Sequence, residues 1–144
     1  MNKSNSISAS KFRILSFNPN SIGKLKAIRK KNANIILFSD TRISAEVEPI
    51  VRSEWGGKAN FASFTSQARG VAIFFTKNIA IEIIEDSIFN DKSGNFTVLN
   101  FKYENFIITL GCIYMVQIRT TQTFLKMSFF IGLKYVNKHL ILQL

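Results

Sequence analysis

Two short polar stretches, each placed directly after an apolar run, constrain this chain most. They are residues 16–20 (SFNPN) and residues 39–42 (SDTR). If the apolar runs are strands of an open sheet, polar side chains at their carboxyl ends point into the crevice where ligands bind, so Asn18 and Asp40 could meet in one site. An amide beside a carboxylate suits a divalent cation and a phosphate. The alternative is that both stretches are simple turns, because Asn, Pro, Asp and Ser favour turns for local hydrogen-bonding reasons.

The pattern along the chain predicts an α/β domain that opens with a β-α-β unit. Strands are predicted over 12–17, 35–39, 59–64, 70–76, 79–84, 96–103 and 106–114, helices over 22–32 and 48–55, and hairpin turns over 91–95 and 104–105. Several of these strands alternate apolar with polar residues or are rich in β-branched residues, which pack well on a pleated surface. The second helix is predicted to end at Gly56 and Gly57.

Size and charge limit the classes of function. The 144 residues fit one domain that can bury roughly two-thirds of its unfolded surface. We find no signal or transit peptide and no apolar run of the ~18 residues that span a bilayer, so we expect a soluble intracellular protein, nuclear or cytoplasmic, with no membrane partner. The net charge of +10 points towards a polyanion such as nucleic acid, although basicity alone also fits an anionic membrane surface. The lone Cys112 excludes an internal disulfide and is predicted to be buried.

A cluster of cations lies on the first predicted helix. It consists of Lys24, Lys26, Arg29, Lys30 and Lys31. One interpretation is that these side chains, together with Arg69, contact nucleic-acid phosphates. The other is that they form a solvated helix face. The sequence leaves both interpretations open.

The composition changes at Met115. Residues 115–144 contain four lysine or arginine residues, the only histidine of the chain, and no aspartate or glutamate. A stretch of this length without a carboxylate lacks the interspersed charge of a soluble surface. We therefore treat this segment separately from the rest of the chain.

Four blocks, in order, carry a family resemblance. They are residues 14–23 (ILSFNPNSIG), 37–43 (LFSDTRI), 55–56 (WG) followed by 66–73 (SQARGVAI), and 110–114 (LGCIY). They resemble an opening strand with its Asn-x-Asn-Gly turn, a Gln-Glu-Thr block, a Gly-Val-Ala-Ile strand and a strand that ends in a catalytic Tyr. In this register the chain resembles the endonuclease domain of LINE-type (non-LTR) retrotransposons, a branch of the endonuclease/exonuclease/phosphatase superfamily.

The resemblance implies a Mg²⁺-dependent phosphodiesterase that nicks DNA, with Mn²⁺ as the other suitable ion. Asn18 would orient the nucleophile and contact the scissile phosphate, Asp40 would replace the metal-binding glutamate, and Tyr114 would contact the phosphate from the opposite wall. Mg²⁺ suits this chemistry because it prefers carboxylate and water oxygens and neutralises charge as water attacks. Aspartate is one methylene shorter than glutamate, which withdraws the carboxylate by about 1.5 Å.

The family fold is a four-layer α/β sandwich, in which two mixed β-sheets pack face to face and helices flank them. The chain is expected to supply a truncated first half, with one sheet present and its partner absent. The apolar face left uncovered on that sheet predicts self-association and poor solubility.

The family pattern stops at Tyr114. The later blocks of the family, Tyr-Gly-Pro-Asn, Gly-Asp-Phe-Asn and a final Ser-Asp-His, are absent from the sequence. Skipping two bases in one allowed coding of residues 115–124 restores Gly-Pro-Asn, so we interpret residues 115–144 as an out-of-frame tail and His139 as a bystander. The chain then divides into a polar leader (1–11), the amino-terminal half of the domain (12–114) and this tail.

The leading hypothesis for function is the amino-terminal fragment of a retrotransposon endonuclease. The fragment is expected to be inactive, because the missing blocks would supply the general base and its partner. The alternative is a non-catalytic basic module that binds nucleic acid. A small-molecule phosphatase of the same fold has no feature of the sequence in its favour.

Overall fold

The computed structural model describes the backbone of residues 11–18, 25–119, 122–133 and 141–143, and the side chains between residues 13 and 114 within those ranges, Lys26 excepted. The described residues form nine strands, two α-helices and a 3-10 helix over Ala45–Val47. The strands are β1 (Lys11–Phe17), β2 (Ile35–Ser39), β3 (Ala59–Ala62), β4 (Val71–Phe75), β5 (Ile81–Asn90), β6 (Phe96–Tyr103), β7 (Phe106–Arg119), β8 (Gln122–Leu133) and β9 (Ile141–Gln143). The helices are α1 (Leu25–Arg29) and α2 (Glu48–Trp55).

The first sheet has five strands in the order β3-β4-β2-β1-β9. Strands β1 and β2 run parallel, with Phe17 opposite Phe38, and α1 lies between them in the chain, so the predicted β-α-β unit is present. Strand β4 is antiparallel to both β2 and β3. All five residues of β2 are buried, which agrees with its nearly continuous apolar sequence, since a central strand is covered on both faces.

The second sheet is an antiparallel meander in the order β5-β6-β7-β8. Both predicted hairpin turns are present. In the first, the backbone N–H of Asn95 donates to Asp91 Oδ2 at 3.0 Å, and Gly94 has a φ of 67°. In the second, Glu104 has a φ of 52°. Short turns of this kind fix the register of the hairpins that they close.

The two sheets pack face to face and share one apolar core. Its buried members include Ile14, Ile35, Leu37, Val71, Ile73 and Phe75 from the first sheet and Leu99, Phe101, Phe106, Ile108 and Leu110 from the second. The rings of Phe75 and Phe101 meet edge to face, with centroids 5.2 Å apart. The expectation that the partner sheet is absent is therefore wrong, because the later strands form it. The face that predicted self-association is covered.

Both described helices pack on the other face of the first sheet. Ile28 of α1 and Trp55 of α2 belong to a second buried cluster with Ile36 and Phe74 of that sheet. The ring centroids of Trp55 and Phe74 are 5.1 Å apart. Burial of two large aromatic side chains on this face stabilises the helical layer.

Some helices and strands end where local sequence signals predict, and others do not. Helix α2 has a proline in its first turn and ends at Gly56, whose φ is 70°, as the sequence predicts. Helix α1 ends at Arg29, before its predicted end at residue 32, because the chain turns there and the N–H of Lys31 donates to the carbonyl of Ile28 at 2.9 Å. Strand β5 runs on to Asn90, beyond its predicted end.

The described residues form three layers: a helical layer, the first sheet and the second sheet. The protein therefore has a mixed α/β fold in which strands predominate. The outer face of the second sheet carries Phe89, which is 58% exposed and stacks on Phe96 at a centroid distance of 5.4 Å. None of the helices in the described part of the chain has the length and apolar character needed to cross a membrane.

The predicted out-of-frame tail contributes backbone strands. Strand β8 forms an antiparallel ladder with β7, and β9 pairs with β1 in parallel. The hydrogen bonds of these ladders are made by main-chain groups, which almost any sequence supplies. The strand pairing is therefore compatible both with a native tail and with an out-of-frame tail. The boundary at Tyr114 stays a prediction. Apart from Lys11, the predicted leader lies outside the described residues, and so does His139.

Candidate functional site

Two predicted site residues lie at the same end of the first sheet. Asn18 directly follows β1 and Asp40 directly follows β2. Because these strands are parallel and Phe17 is opposite Phe38, their carboxyl ends share one edge of the sheet. The side chain of Asn18 is exposed, whereas Asp40 is only 1% exposed.

The carboxylate of Asp40 is enclosed and fully engaged. Arg42 donates to Oδ2 from Nε at 3.1 Å and from Nη2 at 2.9 Å, and the main-chain N–H of Arg69 donates to Oδ1 at 3.2 Å. This hydrogen bonding and the charge of Asp40 raise the pKa of Arg42. A buried carboxylate needs such a partner, because desolvation penalises its charged form. The Arg42 side chain remains 39% exposed, so the pair opens to solvent on one side.

Backbone strain concentrates around this carboxylate. The φ angles are 57° at Asp40, 52° at Arg42 and 63° at Arg69. A left-handed conformation costs an L-residue of order 1 kcal/mol, and such strain clusters at functional sites. Two hydrogen bonds hold it in place: the N–H of Thr41 donates to the carbonyl of Gly70 at 3.0 Å, and the N–H of Arg42 donates to that of Arg69 at 2.9 Å.

The side chain of Thr41 supplies a polar group that the surrounding chain leaves unpaired. Its Oγ1 is buried and makes no hydrogen bond within the described residues. It lies so close to Gly70 that a Cβ at that glycine would collide with it. Burial of a hydroxyl without a partner costs about 1–3 kcal/mol. An orphaned hydroxyl beside a strained loop is a second indication of a functional site.

Tyr114 reaches the same place from the second sheet. Its main-chain N–H donates to the carbonyl of Asn95 at 2.6 Å. Burial is the largest cause that raises the pKa of its phenol; the charge of Asp40 raises this pKa further, whereas Arg42 and Arg69 lower it. The phenol therefore lies in the electrostatic field of all three side chains, across the end of the sandwich from β1 and β2.

Cys112, two residues earlier on β7, joins the two sheets beside this site. Its Sγ donates to the main-chain carbonyl of Phe38 at 3.4 Å. Burial raises the pKa of the thiol to about 12, so the thiol is neutral near pH 7 and unsuited to act as a nucleophile. Because residues i and i+2 of a strand share a face, this contact also directs Tyr114 towards the end of β2.

The charge of the cluster is positive. The single carboxylate of Asp40 offsets one of the two guanidinium groups, and the raised pKa of Tyr114 keeps its phenol neutral. The Arg69 guanidinium lies over the ring of Phe64, 5.1 Å from the centroid, which limits its motion. Guanidinium and phenol donors arranged in this way suit a phosphate group.

The same donor set does not fit a Mg²⁺ or Mn²⁺ centre. Both oxygens of Asp40 already accept hydrogen bonds. The part of the chain that the structure describes contains no group of three His, Cys, Asp or Glu side chains able to hold a metal ion. Mg²⁺ demands near-octahedral oxygen coordination, and a positively charged cluster repels it. The metal-binding role of Asp40 stays a prediction that this geometry does not support.

The predicted nucleic-acid contacts divide between the two ends of the first sheet. Arg69 lies beside Asp40. Three more lie at the opposite end, just before β2 begins: Arg29, Lys30 and Lys31. At about 3.3 Å per residue of strand, the two ends are roughly 20 Å apart. The other two predicted contact residues are not located, because Lys24 and the side chain of Lys26 lie outside the described part of the chain.

The opposite end of the sheet carries a cationic cleft of about 300 Å³. Among the described residues its polar lining consists of Arg29, Lys31, Lys77, Thr76, Asn32, Asn34 and Asn78, with no carboxylate. The Arg29 guanidinium lies 5.4 Å from the ring centroid of Trp55. Part of this charge has a structural explanation, because cations are favoured at the carboxyl ends of helices such as α2.

Thr41 and Arg42 are the site residues that sequence reasoning missed. Both stand in the block 37–43 that carries the resemblance, but neither was assigned a role. The usable signal is an arginine two positions after an aspartate at a strand end, because a left-handed turn there folds the guanidinium back onto the carboxylate. Periodicity alone does not predict that turn.

Comparisons with known proteins add no family assignment. No protein-family model matches the chain, and a search of curated proteins found no significant match.

Proposed function

We propose that the chain is the amino-terminal part of a retrotransposon-type endonuclease domain that binds the DNA backbone at the end of its sandwich and does not cut it. In that family the two sheets belong to a four-layer α/β sandwich with helices on both sides. The observation that carries the proposal is the juxtaposition of Arg42, Arg69 and Tyr114 around the strained loop at Asp40.

The hydrogen-bond donors of this site that Asp40 does not occupy suit a phosphodiester. A guanidinium has five N–H donors, and Asp40 takes two of those of Arg42. The exposed side of Arg42, the Arg69 guanidinium and the neutral phenol of Tyr114 supply further donors. Charge-assisted hydrogen bonds of this type are about twice as strong as neutral ones. The net charge of +10 adds a sequence-independent attraction to DNA.

Cleavage needs groups that this site lacks among the described residues. Its one carboxylate is committed to Arg42, and the thiol of Cys112 is buried and neutral. The Gly-Asp-Phe-Asn and Ser-Asp-His blocks that would supply proton-transfer groups are absent from the sequence. Each such group contributes roughly 10²–10⁴ in rate. We therefore propose binding without turnover.

Fluorescence anisotropy with a labelled DNA duplex tests the binding site. We expect Arg69→Gln and Tyr114→Phe each to weaken binding, the former by about tenfold, because a charge-assisted contact is lost. Lys102→Gln is the matched control: it removes one positive charge from an exposed side chain that forms a 3.6 Å surface ion pair with Glu82. Equal losses in all three variants would show nonspecific electrostatic binding and contradict the assigned site.

A plasmid-nicking assay tests the absence of turnover. We expect purified protein with Mg²⁺ or Mn²⁺ to leave supercoiled plasmid intact. The informative control is Asp40→Ala, purified in parallel, because contaminating nuclease would cut equally in both preparations. Nicking that the wild-type protein shows and Asp40→Ala lacks would overturn the proposal.

A second candidate function is a non-catalytic basic module that binds nucleic acid at the opposite end of the sheet. The cleft lined by Arg29, Lys31 and Lys77 favours it, because none of its described lining residues is a carboxylate. In this case Arg29→Gln combined with Lys31→Gln would weaken DNA binding and reduce its salt dependence, whereas Arg69→Gln would have little effect.

A further inference from the structure

The ion pair between Asp40 and Arg42 lies where the family resemblance places a metal ion. Arg42 directs two N–H groups at one oxygen, Oδ2, and the main chain of Arg69 occupies the other. We infer that the Arg42 guanidinium takes the place of the divalent cation, so that this site binds a DNA phosphate without any metal. The identity of the ligand, a DNA phosphate, rests on the proposed function. The ion pair between Asp40 and Arg42 does not depend on that function.

The loop geometry makes Arg42 a fixed part of the site. Its φ of 52° and the hydrogen bond from its N–H to the carbonyl of Arg69, at 2.9 Å, turn the chain so that the guanidinium folds back onto the carboxylate two residues earlier. Asp40 is itself left-handed, with a φ of 57°. Two of the three residues 40–42 therefore have a strained backbone. Such strain persists only where surrounding contacts stabilise it, and the ion pair is one of these contacts.

A divalent cation would find a poor site if Arg42 moved away. Oδ1 of Asp40 would still face the N–H of Arg69, which is a donor and cannot act as a ligand. The described residues contain no group of three or more His, Cys, Asp or Glu side chains that could hold a metal ion. Mg²⁺ is usually held by one or two carboxylates together with phosphates and retained waters, and Asp40 would offer it only Oδ2, because the N–H of Arg69 occupies Oδ1.

The electrostatics favour an anion over a cation at the open side of the pair. Asp40 is neutralised by Arg42, and no carboxylate among the described residues forms an ion pair with Arg69. The neutral phenol of Tyr114 offers a donor there. A phosphate oxygen is attracted to this surface, and a second cation is repelled from it.

Two measurements on the wild-type protein test the inference. The first is Mn²⁺ binding by electron paramagnetic resonance, compared with Asp40→Asn. We expect the two proteins to take up the same small amount of Mn²⁺. The second is duplex DNA affinity at constant ionic strength in EDTA and in Mg²⁺, where we expect no loss in EDTA. Mn²⁺ uptake that disappears in Asp40→Asn, or DNA binding that EDTA abolishes, would overturn the inference.

Variants of Arg42 separate charge from geometry. We expect Arg42→Gln to weaken DNA binding by about tenfold, and Arg42→Lys to recover only part of that loss, because an ammonium lacks the planar fork. Tighter DNA binding by Arg42→Gln in the presence of Mg²⁺ than in EDTA would contradict the inference. If either variant fails to fold, the wild-type measurements still decide. Wild-type protein that binds no DNA would refute the proposed function, whereas the Mn²⁺ comparison would still test the ion pair.

Discussion

The backbone N–H of Gly70 donates to the carbonyl of Gly94 at 3.1 Å, and this hydrogen bond joins the two sheets beside the candidate site. Gly70 lies in the loop that binds Asp40, and Gly94 lies in the β5–β6 hairpin. Their φ angles are 93° and 67°, and a Cβ on Gly94 would stand 3.0 Å from the nitrogen of Gly70. Glycine is needed at both positions for conformation and for close approach.

Gly70→Ala is expected to destabilise the fold by about 2 kcal/mol or more. The added methyl group meets Thr41 Oγ1, and the residue must keep a φ of 93°, which alanine rarely adopts. The measurement is urea-induced unfolding. Ser66→Ala, an exposed position in the preceding loop, is the control and should change the free energy of unfolding by less than about 0.5 kcal/mol. Equal stability of the two variants would contradict the strain described at this loop.

A polar contact between the sheets gives a second prediction. Asn60 Nδ2 donates to Thr97 Oγ1 at 2.6 Å and to Asn90 Oδ1 at 2.9 Å, with Asn60 and Thr97 both buried. Thr97→Val removes the hydroxyl acceptor but keeps the shape of the side chain. The free energy of unfolding should therefore fall by about 1–3 kcal/mol relative to wild type. In a double-mutant cycle, Asn60→Ala should reduce this effect without abolishing it, because Thr97 Oγ1 also donates to Asn90 Oδ1 at 2.6 Å. Additive losses would show that the two side chains act independently.

The buried thiol predicts a stability change in alkali. Burial raises the Cys112 pKa from 9.0 to about 12. The folded protein therefore holds this proton more tightly than the unfolded chain does. The resulting stability is complete below about pH 9 and is lost as the pH rises towards 12, by up to about 4 kcal/mol. Urea unfolding between pH 8 and pH 11 should show a weaker pH dependence for Cys112→Ala than for wild type. Identical slopes would contradict the burial of the thiol.

Truncation tests the predicted out-of-frame tail. A segment that did not evolve with the sheet should pack loosely on it, so a chain that ends at Tyr114 should keep its stability within about 1 kcal/mol. Chemical denaturation of the full and truncated chains gives this comparison. A loss of several kcal/mol in one cooperative transition would show that β8 and β9 are structural and that the frameshift interpretation is wrong.

The sequence predicts those parts of the fold that depend on local signals. The apolar run of β2, the Pro and Gly ends of α2 and the two hairpin turns have the expected bounds or lie close to them. It does not predict how strands divide between sheets, because periodicity describes the faces of a strand and not its partners. Hydrophobic periodicity also misses the Asp40–Arg42 pair, because it carries no information about the left-handed backbone on which that pair depends.

We propose that the DNA backbone binds at Arg42, Arg69 and Tyr114. This proposal is tested by titrating ¹⁵N-labelled protein with a short DNA duplex in EDTA and following the amide chemical shifts. We expect the largest shifts to fall on residues 40–42, 69–70 and 114. Shifts concentrated on residues 29–34 and 76–78, at the opposite end of the first sheet, or no shifts at all, would contradict it.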